Sequence, residues 1–322
     1  MKSDSSVICA LCSHLAQTSE AKPLTAQEWG SYARALRDAG MRPSDLVDLP
    51  ESQIAATLGI GADAAGRVRR LLDRQGSLAF ALARYENTGI FVLTRADELY
   101  PRQLKHSLGN GCPPLLYCAG NAELTRCHCV GFVGSRDVSD GDEDFAVRAV
   151  EKVVERGFGV VSGGARGIDS IAGNAALACG APLVEYVGHS LTKHVRRRDR
   201  LEALQDGQAL VLSTAVPDAN FDRGALVGRN KYIYGHSVVT IAVRSGLNHG
   251  GTWTGATEAI KKGLCPVLCW NNADYEGNQA LISRGAVAIV EEWDGDVWEL
   301  AQTFEAARKR GGKVPGQTRL FD

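Results

Sequence analysis

Between residues 24 and 85 the apolar positions recur at helical spacing and are broken by turn residues. The segment Thr25–Glu28, TAQE, has capping-box spacing ahead of Trp29, Tyr32 and Leu36, and Pro43-Ser44-Asp45 opens a second helical stretch. From residue 88 the pattern changes to short apolar runs separated by amphipathic stretches of helical length. The runs are 89–94, 130–135, 158–163, 182–188, 209–216, 238–243, 265–270 and 286–290. Short valine-rich runs alternating with helices predict an α/β body, a Rossmann-like, doubly wound and mostly parallel sheet covered on both faces. Between 142 and 156, Phe145, Ala149, Val150, Val153 and Val154 fall on one helix face, as that alternation requires. The expected organisation is an all-α domain over 1–85, the sheet domain over 86–300, and a helix end with a flexible tail over 301–322.

The 322 residues and 44% hydrophobic content suffice for a sizeable core. No apolar run reaches about 18 residues and the opening lacks a signal-peptide core, which places the protein in the cytoplasm with no membrane partner. The nine cysteines are odd in number, and Cys179, Cys265 and Cys269 sit in apolar surroundings, as reduced thiols do. Cys9 and Cys12 are spaced CxxC and Cys127-His128-Cys129 follows far along, but no second pair completes a zinc finger; a buried helix face accounts for the first pair, and no metal or other cofactor is expected. Net charge of −1 decides nothing about nucleic acid, so local clustering must.

In such sheets ligands collect at the carboxyl ends of strands. One run leads into Gly134-Ser135-Arg136 and the next into Ser162-Gly163-Gly164-Ala165-Arg166-Gly167-Ile168-Asp169. Glycines there let the backbone approach a ligand, a following helix offers free N–H groups to an anion, and both turns carry an arginine suited to phosphate. Neither turn is a GxGxxG fingerprint, so a standard NAD site is not expected. The stretch Lys193–Arg200 holds five cations against one carboxylate, with Arg223, Arg229, Lys231 and Arg244 beyond it. A charge run is by default a solvated face; several converging on one rim point to a polyanion. Earlier, Gly59-Ile60-Gly61 before a basic helix reads either as a helix-hairpin-helix turn that touches DNA phosphate or as a glycine cap between packed helices. There is no GxSxG, HExxH or P-loop, and the histidines at loops, His189, His194, His236 and His249, lack a nucleophile to serve; binding without catalysis is the expectation.

The order Gly134-Ser135-Arg136, SGGARGID with the helix IDSIAGNAAL, a glycine turn with a basic stretch, then Arg229-Asn230-Lys231 resembles the DNA-processing protein A (DprA/Smf) family. The upstream segment 93–121 is similar too, and the resemblance spans roughly residues 5–290, its front matching a sterile-alpha-motif-like domain. It implies a homodimer that binds single-stranded DNA, protects incoming strands and loads RecA in natural transformation or recombination, without a catalytic step. By position, Arg136 would be a principal phosphate contact. Gly134, Ser135, Ser162, Gly163, Gly164, Arg166 and Gly167 would line the pocket, Arg229, Asn230 and Lys231 its edge, and Lys193, Arg196 and Arg197 a further basic segment.

The sequence also departs from that family. His194-Val195 stands for tyrosine-proline, Ala172-Gly173 for alanine-histidine, and HGGTWTGATEA for an SGSLxTA-like turn, while the residues after 310 are too few for a winged-helix domain. A divergent branch follows. The altered turn, with Gly250, Gly251, Thr252 and Thr254, resembles LOG-type relatives that sense a nucleotide or hydrolyse a nucleoside monophosphate, in a role such as defence against foreign DNA. Their GGxGTxxE pattern would need glutamate at Thr257, and Glu258 is one position out, about 100° around a helix. Finally, Gln317, Leu320 and Phe321 in QTRLF resemble the peptide that docks replication proteins on the DNA sliding clamp; a frayed terminus is the plain alternative.

Overall fold

The structure, a computed structural model, describes residues 3–16, 21–220 and 222–309. Five helices open the chain: α1 (Asp4–Cys12), α2 (Ala26–Asp38), α3 (Glu51–Leu58), α4 (Ala62–Asp73) and α5 (Gln75–Glu86). Thr25 and Glu28 close the capping box read from TAQE, the Thr25 side chain accepting from the Glu28 N–H and the Glu28 carboxylate accepting from the Thr25 N–H. Trp29, Leu36, Leu46, Ile54, Val68 and Leu72 share one core with Ile90, Tyr117 and Val211 of the sheet. Gly59 does cap α3 with a left-handed φ of 66°, and Gly61 starts α4. Basic residues of α4 and its C-cap hold the front together: Arg67 bonds to the Lys22 and Pro23 carbonyls and Glu28, Arg69 to the Val47 carbonyl, and the buried C-cap Arg74 to the carbonyls of Ala10, Ser13 and Leu15. That pattern favours the packed-helix reading of the turn. Cys9 and Cys12 are buried in α1, and burial pushes the Cys9 thiol up to about 12.

Nine strands follow: β1 (Ile90–Thr94), β2 (Leu115–Gly120), β3 (Cys129–Val133), β4 (Gly159–Ser162), β5 (Leu183–Val187), β6 (Ala209–Ser213), β7 (Val239–Ala242), β8 (Val267–Trp270) and β9 (Val287–Ile289). They form one sheet in the order β1-β2-β6-β5-β4-β3-β7-β8-β9. The pairs β1·β2 and β2·β6 are antiparallel and the rest parallel. Every apolar run read from the sequence overlaps a strand. The ninth, β2, follows Pro113-Pro114, and its first five residues are buried, so it shows neither alternation nor a clean turn boundary on entry.

The remaining helices are α6 (Arg102–Leu108), α7 (Asp140–Glu155), α8 (Ile168–Ala178), α9 (Leu191–His194), α10 (Arg198–Gln205), α11 (Arg223–His236), α12 (Gly250–Lys262), α13 (Glu276–Ser283) and α14 (Trp298–Lys309). Phe145, Ala149, Val150 and Val153 of α7, with Ile168 and Ala172 of α8 and Leu300 of α14, cover one face of the sheet. Leu104 of α6, Ile233 and Tyr234 of α11, and Ala256 and Ala259 of α12 cover the other. The chain lays β3 to β6 outward in one direction and then returns to set β7 beside β3. The strand order therefore reverses between β3 and β7, and a crevice opens at their carboxyl ends.

Candidate nucleic-acid interface

Two adjacent cavities, of about 720 and 850 Å³, occupy that end of the sheet and share a wall of Arg136, Ala165, Arg166 and Arg229. The first is lined by Gly134 and Ser135 after β3, Asp169 of α8, Asn230 of α11, Arg244, Gly246 and His249 after β7, and Gly250, Gly251, Thr252 and Thr254 at the start of α12. The second is lined by Gly163 and Gly164 after β4, His189, Lys193, His194 and Arg197 after β5, and Asn220.

The two glycine turns interlock, and this fixes the shared wall. The Ile168 N–H donates to the Ser135 carbonyl at 3.1 Å, and Gly167 has a φ of 85°. A Cβ on Gly167 would collide with the Ser135 carbonyl and the Arg136 backbone, so only glycine lets α8 begin against the Gly134–Arg136 loop. A Cβ on Gly163 would sit on the Arg229 guanidinium, which packs against that turn. Arg229 is 5% exposed and donates to Asp169 at 3.2 Å, while its Nε and Nη1 have no partner among the described residues. Burial outweighs the attraction of Arg229 and raises the Asp169 carboxyl above its ordinary range.

Electrostatic pairing sorts the arginines. Arg166 pairs with Asp137 at 2.6 Å, both largely exposed. Arg197 pairs with Asp199 and donates to the Gly164 carbonyl at 3.1 Å. Arg244 pairs with buried Asp142 at 2.9 Å and stacks on Tyr275. Among the described residues Arg136 is the one cavity-lining arginine without a carboxylate partner. Beside it the α12 amino terminus supplies backbone N–H groups, and Asn230 ties α11 to that turn by donating to the Gly251 carbonyl at 3.0 Å.

Of the residues singled out in the sequence, Gly134, Ser135, Arg136, Gly163, Gly164, Arg166, Lys193, Arg197, Arg229 and Asn230 line the cavities, as do Gly250, Gly251, Thr252 and Thr254. Ser162 is buried and donates to the Phe132 carbonyl, joining β4 to β3 beneath the turn. Gly167 is the spacer between loops. Arg196 is exposed outside the lining, and Lys231 lies over the Tyr232 ring on another flank of α11. Glu258 pairs with Lys262 along the outer side of α12 and does not line either cavity. Gln317, Leu320 and Phe321 fall outside the described residues.

Sequence reasoning missed a buried charged cluster under the second cavity. Glu185, on β5, accepts from Arg200 Nε at 3.0 Å and meets His194 Nε2 at 2.8 Å. Burial would raise its carboxyl, but His194 and Arg200 outweigh that and hold it below the ordinary range. Gly173, where the family carries histidine, faces the Arg200 guanidinium. The available signal was one glutamate inside the apolar run PLVEYVG.

The chain matches the family described as DNA recombination-mediator protein A over residues 91–300. It is 31% identical to Protein Smf of Escherichia coli over 228 residues, which covers 67% of this chain and 58% of that relative. To DNA processing protein DprA of Bacillus subtilis it is 25% identical over 233 residues, 71% of this chain and 75% of the relative. Among solved structures, DNA processing protein A from Streptococcus pneumoniae superposes with a TM-score of 0.65 at 23% identity, covering 83% of this chain and 90% of the other. DNA processing protein A from Helicobacter pylori, described for its single-stranded DNA binding mode, has a TM-score of 0.50 at 21% identity, covering 69% and 96%. These two likenesses share the fold. With the interlocked turns in place and the family match over most of the sheet domain, this chain belongs to the DNA recombination-mediator protein A family.

Proposed function

We propose that the chain binds single-stranded DNA by gripping the sugar-phosphate backbone at the wall between the two cavities. The observation that carries this reading is that wall: Arg136, without a carboxylate partner among the described residues, stands with Arg229 between two spaces, so a phosphate held there has room for a nucleoside on either side. The DNA-processing relatives support it, as does the single-stranded DNA binding described for the Helicobacter pylori protein. In the same reading the protein works in the cytoplasm as a homodimer that shields incoming strands and passes them to RecA, in transformation or recombination. Its QTRLF segment docks the sliding clamp.

A second reading has one observation in its favour. Gly250, Gly251, Thr252 and Thr254 line the first cavity at a helix amino terminus, an arrangement suited to the phosphate of a free nucleotide. Such a sensor, in defence against foreign DNA, would bind a mononucleotide that oligonucleotides do not displace.

Fluorescence anisotropy of single- and double-stranded oligonucleotides over a salt series tests the choice. On single strands, log affinity falls with log salt by about 0.7 per neutralised phosphate. Arg136→Ala lowers that slope by about one such step and weakens low-salt binding by about 10-fold, the worth of one charge-assisted hydrogen bond. No binding at low salt, or an unaltered slope in Arg136→Ala, refutes the reading.

A further inference from the structure

Arg244 lines the first cavity on a backbone that is clamped on both sides. Asn278 of α13 is fully buried; its side-chain oxygen accepts from the Ser245 N–H at 2.9 Å, and its amide donates to the Val243 and Trp270 carbonyls, also at 2.9 Å. A Cβ on Gly277 would strike the Ser245 carbonyl, so α13 packs directly on this turn. The side chain is fixed as firmly. Nη1 donates to Asp142 at 2.9 Å, and the guanidinium lies over the Tyr275 ring with Cζ 4.9 Å from its centroid. Tyr275 donates to the other oxygen of Asp142 at 2.7 Å and meets Trp270 edge-on, and Trp270 stacks on Phe145. Burial would raise the Asp142 carboxyl, but the bonds from Ser139, Tyr275 and Arg244 outweigh that and hold it below the ordinary range, so the pair is charged.

What is left over decides what this side chain can recognise. Nε and Nη2 of Arg244 make no hydrogen bond among the described residues, and the side chain is 39% exposed. Those two N–H groups run parallel along one edge of the planar fork. Buried Asp142 already balances the charge, so the free edge offers directed donors with little net pull on a phosphate, in contrast to Arg136 in the same cavity. Two parallel donors match a base edge that carries two adjacent acceptors, as O6 and N7 of guanine do. Adenine sets its N6 donor against such a fork, thymine has single acceptors flanking a donor, and cytosine has adjacent acceptors only on the side next to the sugar. In a single strand the bases are unstacked and this guanine edge is open. We propose that the first cavity takes a guanine base of the bound strand, read at O6 and N7 by the Nε–Nη2 edge of Arg244, while Arg136 holds a neighbouring phosphate. The inference rests on the reading that the wall between the cavities grips a single strand, and adds a base preference to it. Because the fork is fixed before a strand arrives, little side-chain freedom is lost on binding.

The test measures fluorescence anisotropy of the full chain with short thymidine strands that carry one central guanine, 7-deazaguanine, adenine or cytosine, beside the all-thymidine strand, over a salt series. The guanine strand is expected to bind about tenfold more tightly than the all-thymidine strand, and the adenine and cytosine strands no more tightly than it. Replacing N7 by carbon in 7-deazaguanine removes most of that gain. Arg244→Lys keeps a charge opposite Asp142 and removes the fork. It binds the all-thymidine strand as the unaltered chain does, with the same salt slope, and the guanine advantage disappears. The 7-deazaguanine strand needs no altered protein, so the test stands even if that variant fails to fold. Equal affinity for the guanine and all-thymidine strands overturns the inference, as does a 7-deazaguanine strand that binds as tightly as guanine, a tighter cytosine strand, or a preference that survives Arg244→Lys. A salt slope that falls for every strand in Arg244→Lys overturns it too, since Arg244 would then be a phosphate ligand. So does displacement of the guanine strand by guanosine monophosphate at the strand's own concentration, which would assign the cavity to a free nucleotide. Failure of every strand to bind at low salt instead refutes the backbone reading on which the inference stands.

Discussion

Replacing Arg229 with methionine, Arg229→Met, keeps the bulk of the side chain and removes its charge. Arg229 and Asp169 are 5% and 8% exposed and are joined at 3.2 Å, so the change strands a buried carboxylate beside the Gly163 turn. Removing one partner of a buried pair costs about 3–5 kcal/mol. For a chain of this size each kcal/mol moves Tm by about 2 °C, which gives a fall of about 6–10 °C near neutral pH. The pH dependence has a definite sign. Asp169 already titrates above its unfolded value, so its favourable contribution is fully present below the unfolded pKa and is lost as pH rises through the folded one. Without Arg229 that folded pKa rises further, so the deficit is small at about pH 4 and grows toward neutrality. Adding Asp169→Asn removes the stranded charge and recovers most of the loss. Urea unfolding followed by circular dichroism across a pH series, with calorimetry for Tm, reads all of this. A deficit under about 1 kcal/mol at neutral pH, or one that does not vary with pH, refutes the buried-pair argument.

Three further outcomes can be measured. Asp137→Asn frees Arg166 from an exposed ion pair worth about 0.2–1 kcal/mol, so single-stranded DNA binds up to about fivefold more tightly at low salt and equally at high salt; unchanged low-salt affinity would count against Arg166 as a phosphate ligand. Gly167→Ala forces alanine into a φ of 85° and ψ of −139°, at about 1–3 kcal/mol before its collision with the Ser135 and Arg136 backbone, so Tm and DNA affinity both fall; a native Tm would show that the two turns do not interlock. Deleting Gln317–Asp322 removes sliding-clamp binding and spares DNA binding, and clamp capture that survives the deletion rules out QTRLF as the docking peptide.

The sequence by itself determined the alternation of the body and the placement of its two phosphate-type turns. Valine-rich runs such as 158–163 and helix faces such as Phe145–Val154 are local patterns, written in windows of a few residues, and the motif order from Gly134 to Lys231 identified the family in the same linear way. Strand order is different in kind. That β7 lies beside β3 is decided by which buried faces fit, and only this brings Arg244, His249 and the start of α12 to the cavity that Arg136 lines. Pairing is non-local too: whether an arginine is available to a ligand depends on a carboxylate anywhere in the chain, as with Asp169 and Arg229 or Asp142 and Arg244. The histidines at 189 and 194 read as loop residues until β5 places Glu185 behind one of them. Periodicity records which face of an element is buried, whereas the tertiary structure alone decides what it is buried against, and with it the charge each side chain keeps for a ligand.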